Sequence, residues 1–155
     1  MRAAVLAALM LANPASAAPP APSGNFERRM ASEIPAAFNS HNFRRYSALI
    51  GDNVKVYYGQ RLFSSGKNNW LRHIADSFEA KPKINPISIA SSPGSVTFWE
   101  RYYGGCAPIV RGGPPHPACE PHVTTRAARY DFQGRKVVKI TVLDGGFTAI
   151  LGQQR

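Results

Sequence analysis

The chain has 155 residues, 44% of them hydrophobic and 18% charged, with a formal net charge of +10 and two cysteines. That apolar content excludes a disordered chain, and two cysteines exclude a small disulfide-built scaffold. The positive charge favours anionic surroundings, but its carriers are scattered, with Arg28-Arg29, Arg44-Arg45 and Arg135-Lys136 as the only adjacent pairs, so no nucleic-acid partner is expected.

The N-terminus, MRAAVLAALMLANPASAAPPAPSG, has the layout of a secretory leader. Arg2 supplies a positive start, Ala3 to Ala12 an uncharged apolar run, and Ala15-Ser16-Ala17 a small-residue cleavage site. The run is shorter than the ~20 residues a membrane span needs, so an integral membrane protein is not expected. Residues 1–17 are read as a signal peptide cleaved after Ala17, which implies a periplasmic or secreted protein. Residues 18–24, with Pro19, Pro20 and Pro22, form an extended tail, and 25–151 make a single domain. The mature chain keeps 138 of the 155 residues and, without Arg2, a formal charge of +9.

Phe26, Met30, Ile34 and Phe38 recur every four residues and predict a first helix. Pro35 either kinks that helix or falls in the first turn of one capped by Ser32. Ser40-His41-Asn42 breaks the pattern in a capping or loop role. Phe43, Tyr46, Leu49 and Ile50 predict a short second helix ended by Gly51. Val54 to Tyr58 is β-branched and aromatic, hence a strand, which Arg61-Leu62-Phe63 continues or pairs with. Lys67 to Glu79 predicts a third helix with Trp70, Leu71, Ile74 and Phe78 on its apolar side and Ser65 as its cap.

Beyond Pro82 the chain reads as antiparallel sheet. Ile84 to Ser91 carries Pro86 and suits an edge. Ser95 to Tyr103 follows a Pro93-Gly94 turn, and Val123 to Phe132 turns at Gln133-Gly134 into Lys136 to Asp144. The fold class is therefore α+β, with about three N-terminal helices packed on the concave face of a curved antiparallel sheet.

Three segments in this order, AFNSHNFRRYSALIGDNVKVYYG, SSGKNNWLRHIADSF and RYDFQGRKVVKITVLD, resemble the nuclear transport factor 2-like superfamily, including its SnoaL-like polyketide-cyclase and ketosteroid-isomerase branches. The resemblance implies a cone that encloses a mostly apolar pocket, and homodimerisation through the sheet. It leaves chemistry open, since this cone hosts isomerases, cyclases, binding proteins and assembly domains. The isomerase and cyclase branches place an acid near the end of the first strand, where this chain has Tyr57-Tyr58. A tyrosine with a pKa of about 10 is a poor base at neutral pH, which counts against their proton-abstraction step.

Two groups remain as catalytic candidates. Strand alternation puts Glu100 in a row with Val96, Phe98 and Tyr102. In an apolar cone its pKa would rise and suit acid–base work; the other reading pairs it with a neighbouring arginine or leaves it in solvent. His73 borders the apolar side of the third helix, as a base or as an ordinary packed residue. Asp144 ends a comparable row but precedes Gly145-Gly146, which favours a turn role. Tyr58, Trp70, Phe98, Tyr102 and Tyr130 are the expected pocket lining, or else core filling.

The stretch CAPIVRGGPPHPACEPH holds both cysteines. Cys106, His116, Cys119 and His122 stand at spacings of ten, three and three, a poor match to a zinc site, so no metal and no cofactor are expected. In an exported protein Cys106 and Cys119 read as a disulfide closing a hairpin connection, worth about 3 kcal/mol.

The sequence thus predicts an exported domain that binds a small apolar or anionic molecule in the cone. Two alternatives stand beside it: a small lyase or isomerase using Glu100 or His73 with a pocket tyrosine, and a homodimeric domain that meets an anionic envelope surface.

Overall fold

The computed structural model describes residues 24–105 and 122–150. Residues 1–17, read as a leader, and 18–23 of the expected tail lie outside them. Along the described chain come α1 (Gly24–Asn39), α2 (Phe43–Leu49), β1 (Ile50–Tyr58), β2 (Arg61–Ser65), α3 (Lys67–Glu79), β3 (Lys83–Ser92), β4 (Ser95–Gly104), β5 (His122–Gln133) and β6 (Lys136–Ile150).

The expected α+β arrangement is present: three helices come early, and one unclosed six-stranded sheet follows the order β2-β1-β6-β5-β4-β3. The sheet is mixed. Strand β6 runs antiparallel to β5 but parallel to β1, because α3 and the β3–β6 meander carry the chain back to the N-terminal strand in the same direction. Pro86 lies on β3, an edge strand, where its missing N–H breaks no central ladder.

Helix α1 runs unbroken through Pro35 and buries Met30, Ile34, Ala37 and Phe38, the stripe that the four-residue spacing marks. A proline inside a helix removes one backbone bond and costs ~3 kcal/mol in isolation. Anchors at both ends of α1 work against that cost. Glu27 accepts from Gly94 N at 2.9 Å in the β3–β4 turn. At the far end Asn39 makes a two-point clamp on β3, donating Nδ2–H to Ile84 O and accepting from Ile84 N, both at 2.8 Å. His41 takes a left-handed backbone conformation (φ 52°), and its Nε2 lies 3.1 Å from Pro82 O, so it ties a turn.

Two local expectations change. The second helix ends because Ile50 already turns extended (φ −85°, ψ 131°), and Gly51 belongs to β1, where a Cβ would stand 3.1 Å from Val137 O. The backbone of Gly66, with φ 87°, precedes α3 in place of a Ser65 cap, and Asn69 Nδ2 donates to Ser65 O at 2.9 Å.

The expected Cys106–Cys119 bridge finds no support: among the described residues no disulfide bond is present. Both belong to 106–121, outside the described residues. The β4–β5 ladder itself closes at Gly104↔His122 through backbone pairing.

Candidate functional site

The floor of the cone is a grid of side chains set by strand register. On β4, Val96, Phe98 and Glu100 are fully buried, while Trp99 between them is 42% exposed, so the alternation assigns Glu100 to the inner face. On β5 the facing residues are Tyr130, Ala128 and Arg126, paired in register with Val96, Phe98 and Glu100. On β6 Ile140 and Val142 continue the rows of Tyr130 and Ala128, and Asp144 is the backbone register partner of Arg126; its side chain lies outside the described set.

Glu100 and Arg126 form an ion pair across this floor, with Nε donating to Oε1 at 2.9 Å. The Glu100 side chain is wholly enclosed, whereas that of Arg126 is 14% exposed. The guanidinium carbon sits 4.0 Å above the ring centre of Tyr102, a cation–π contact. The second carboxylate oxygen, Oε2, is buried with no hydrogen-bond partner among the described residues. An uncompensated polar atom in the interior is rare and destabilising, which marks this position.

Around the pair stand three phenols. Tyr46 of α2 accepts a hydrogen bond from Trp70 Nε1 of α3 at 3.3 Å. Tyr130 packs edge-on to Phe98 at 5.6 Å, and Tyr102 edge-on to Phe38 at 6.3 Å. Burial pushes Tyr46, Tyr102 and Tyr130 above the ordinary phenol value, with Glu100 adding to each rise and Arg126 opposing it. These hydroxyls therefore stay protonated at neutral pH and serve as neutral hydrogen-bonding groups.

Burial also pushes the Glu100 carboxyl up, against the attraction and hydrogen bond of Arg126. Arg126 is itself shifted up, its burial outweighed by the combined pull of Glu100 and the nearby phenols. A guanidinium cannot give up its proton in a protein. The pair therefore titrates on the carboxyl side, and Arg126 keeps its charge.

Both sequence readings of Glu100 hold together: it lies in the interior row, and it is paired with an arginine. Of the expected lining, Trp70, Phe98 and Tyr130 are buried and Tyr102 is half-buried beneath Arg126. Tyr58 is 38% exposed and packs edge-on to Phe63 at 5.0 Å. His73 is on the exposed side of α3, its ring tilted against Phe63 with centroids 4.8 Å apart, in a groove of about 250 Å³ with Ser64, Asn69 and Arg72. It is not among the groups around Glu100. Among the described residues no cluster of three or more metal-ligating side chains occurs.

Sequence reasoning missed Arg126 and Tyr46. Alternation alone places Arg126 in one row with Ala128 and Tyr130, so the signal for an inward arginine was there. Its pairing with Glu100 depends on a register set across the long 105–121 connection, which sequence spacing does not give. Tyr46 sat in a helix pattern indistinguishable from ordinary core.

No family model and no curated protein matches the chain. Solved structures do match. An NTF2-like protein of unknown function from Cytophaga hutchinsonii is 12% identical over 76% of this chain and 88% of its own, with a TM-score of 0.57. SalBIII, described as an epoxide hydrolase/cyclase-like enzyme in pyran ring formation in salinomycin, is 11% identical over 80% and 95%, with a TM-score of 0.67. A candidate SnoaL-like polyketide cyclase from Jannaschia sp. CCS1 is 10% identical over 79% and 89%, with a TM-score of 0.61. At these identities the likeness establishes the fold, the NTF2-like cone, and nothing about activity.

Proposed function

We propose that the chain is a small-molecule-binding protein whose ligand seats between the sheet floor and the helices, with Glu100 and Arg126 as its polar anchor. The observation that supports this reading is the buried Oε2 of Glu100, which has no hydrogen-bond partner among the described residues. A fold that merely needed a stable floor gains little from a buried ion pair, since apolar residues of similar volume serve as well or better. An apolar enclosure with a few fixed polar groups is the usual make-up of a ligand site.

The reaction class that fits the same groups is general acid–base transfer. A carboxyl that burial pushes above its ordinary range is a better proton acceptor than a free one, and the neighbouring tyrosine hydroxyls donate hydrogen bonds to an oxygen that gains charge. Lyase, isomerase and cyclase steps all use that pairing, and ring formation is the chemistry attributed to SalBIII. His73 has no part in it, being on the solvent side of α3. Mass spectrometry of the natively purified protein tests the reading. A small molecule released on denaturation, and absent from Glu100→Gln, supports it; an empty wild-type protein counts against it.

A second reading concerns the outer face. Trp99 is 42% exposed and Ile87 and Leu143 are each 52% exposed, and register aligns Ser88, Trp99, Ala127 and Leu143 across β3, β4, β5 and β6. An apolar row of this kind on a sheet face supports association, here as a homodimer through the sheet. Among the described residues no helix is long and apolar enough to cross a membrane.

A further inference from the structure

We infer that the cone takes an organic carboxylate on Arg126, and that each ligand enters together with a single proton, which settles on Glu100. The inference rests on the reading of the cone as a small-molecule site and names the chemistry of its occupant.

A guanidinium presents five N–H donors in a fork that matches a carboxylate edge. Among the described residues only Nε of Arg126 is engaged in an ion pair, with Oε1 of Glu100. The two partners also differ in access. Arg126 keeps 14% of its side chain open to solvent and Glu100 none, so an arriving anion meets the guanidinium first. The ring of Tyr102 beneath the guanidinium, with buried Phe98 and Trp70 nearby, suits a ligand with an apolar body.

Charge supplies the coupling. The Glu100–Arg126 pair is neutral as a unit. A second carboxylate on Arg126 would put two negative charges on one positive in a weakly screened interior, and a like charge nearby disfavours ionisation of a carboxyl. Protonation of Glu100 at Oε2, the oxygen without a partner among the described residues, removes the conflict. The Oε1 contact to Nε survives, and Arg126 is left to hold the ligand. No bond to carbon forms or breaks; the proton comes from solvent.

Among the described side chains, the other groups facing Glu100 do not offer a competing proton site near neutral pH. Tyr46 from α2, Tyr102 from β4 and Tyr130 from β5 are all pushed up by burial, and Tyr58 from β1 is 38% exposed. On β3 the register partner is Pro86, which does not titrate, and α3 contributes Trp70. The remaining acid is Asp144, register partner of Arg126 on β6.

Titration calorimetry of the full chain with benzoate, and with benzamide as its neutral isostere, tests the inference in two buffers of different ionisation enthalpy. Benzoate should bind with uptake of a single proton, and its Kd should rise about tenfold for each pH unit between the free and the liganded pKa of Glu100. Asp144→Asn should keep the uptake, and folded Glu100→Gln should bind benzoate without it. The wild-type measurement stands alone if that variant does not fold. Benzoate bound without proton uptake, or uptake lost in Asp144→Asn, overturns the inference. Binding of benzamide but not benzoate overturns it while leaving the cone a ligand site; binding of neither overturns both.

Discussion

Glu100 and Arg126 are direct register partners on β4 and β5, joined at 2.9 Å, yet only the arginine reaches solvent. The proposed anchor role rests on this asymmetry. The acid is held in the interior with one oxygen satisfied and one without a partner among the described residues.

Removing a single partner should therefore be far worse than removing both. Arg126→Met strands a carboxylate in the interior and should lower stability by about 3–5 kcal/mol at neutral pH. The double variant Glu100→Leu/Arg126→Met should fall within about 1 kcal/mol of the wild type or exceed it. Urea unfolding of the four proteins in the cycle measures this. A loss in the double variant equal to the sum of the two single losses would mean that the pair is not coupled.

The pH dependence has a definite sign. The carboxyl of Glu100 is pushed above its usual value of 4.5, chiefly by burial, so the native state holds its proton more tightly than the unfolded chain does. Its contribution is fully present below the unfolded value and is lost as pH rises through the folded one. The wild type should accordingly lose stability relative to Glu100→Gln as the pH is raised from about 4 upward. A difference that grows in the opposite direction would show that Arg126 outweighs burial.

The Asn39 clamp predicts a separate effect on the edge strand. Asn39→Ala leaves both Ile84 N and Ile84 O without their amide partner and should cost about 2 kcal/mol. Amide hydrogen exchange at Ile84 should quicken with it. Unchanged protection would mean that β3 is held by β4 alone.

The outer apolar row predicts self-association that a charge abolishes. Trp99→Glu should shift the sedimentation coefficient from dimer to monomer without changing the circular dichroism of the fold. A wild type that sediments as a monomer at all concentrations removes the homodimer reading.

Much of this was legible in the residues. The α1 stripe and the β4 row that Glu100 shares with Val96, Phe98 and Tyr102 follow from periodicity, because burial on one face leaves a period in the sequence, but periodicity alone left open which face that row takes. What periodicity does not carry is register between distant strands. It could not pair Glu100 with Arg126 or set β6 parallel to β1. The bridge expected between Cys106 and Cys119 rested on exported context and hairpin placement, and both residues lie outside the described ones, beyond the ladder's end at Gly104↔His122.

The central claim, a ligand site inside the cone, has a direct reporter in the chain's two tryptophans. Trp70 is buried and donates its indole N–H to Tyr46 in the interior, whereas Trp99 is exposed on the outer face. Their two indole resonances in a nitrogen–proton correlation spectrum separate the two sides of the sheet. Titration with a library of small aromatic acids and amides should move the Trp70 resonance and leave Trp99 in place. Ligands that shift Trp99 alone, or a Trp70 resonance unmoved by every compound, would contradict the account.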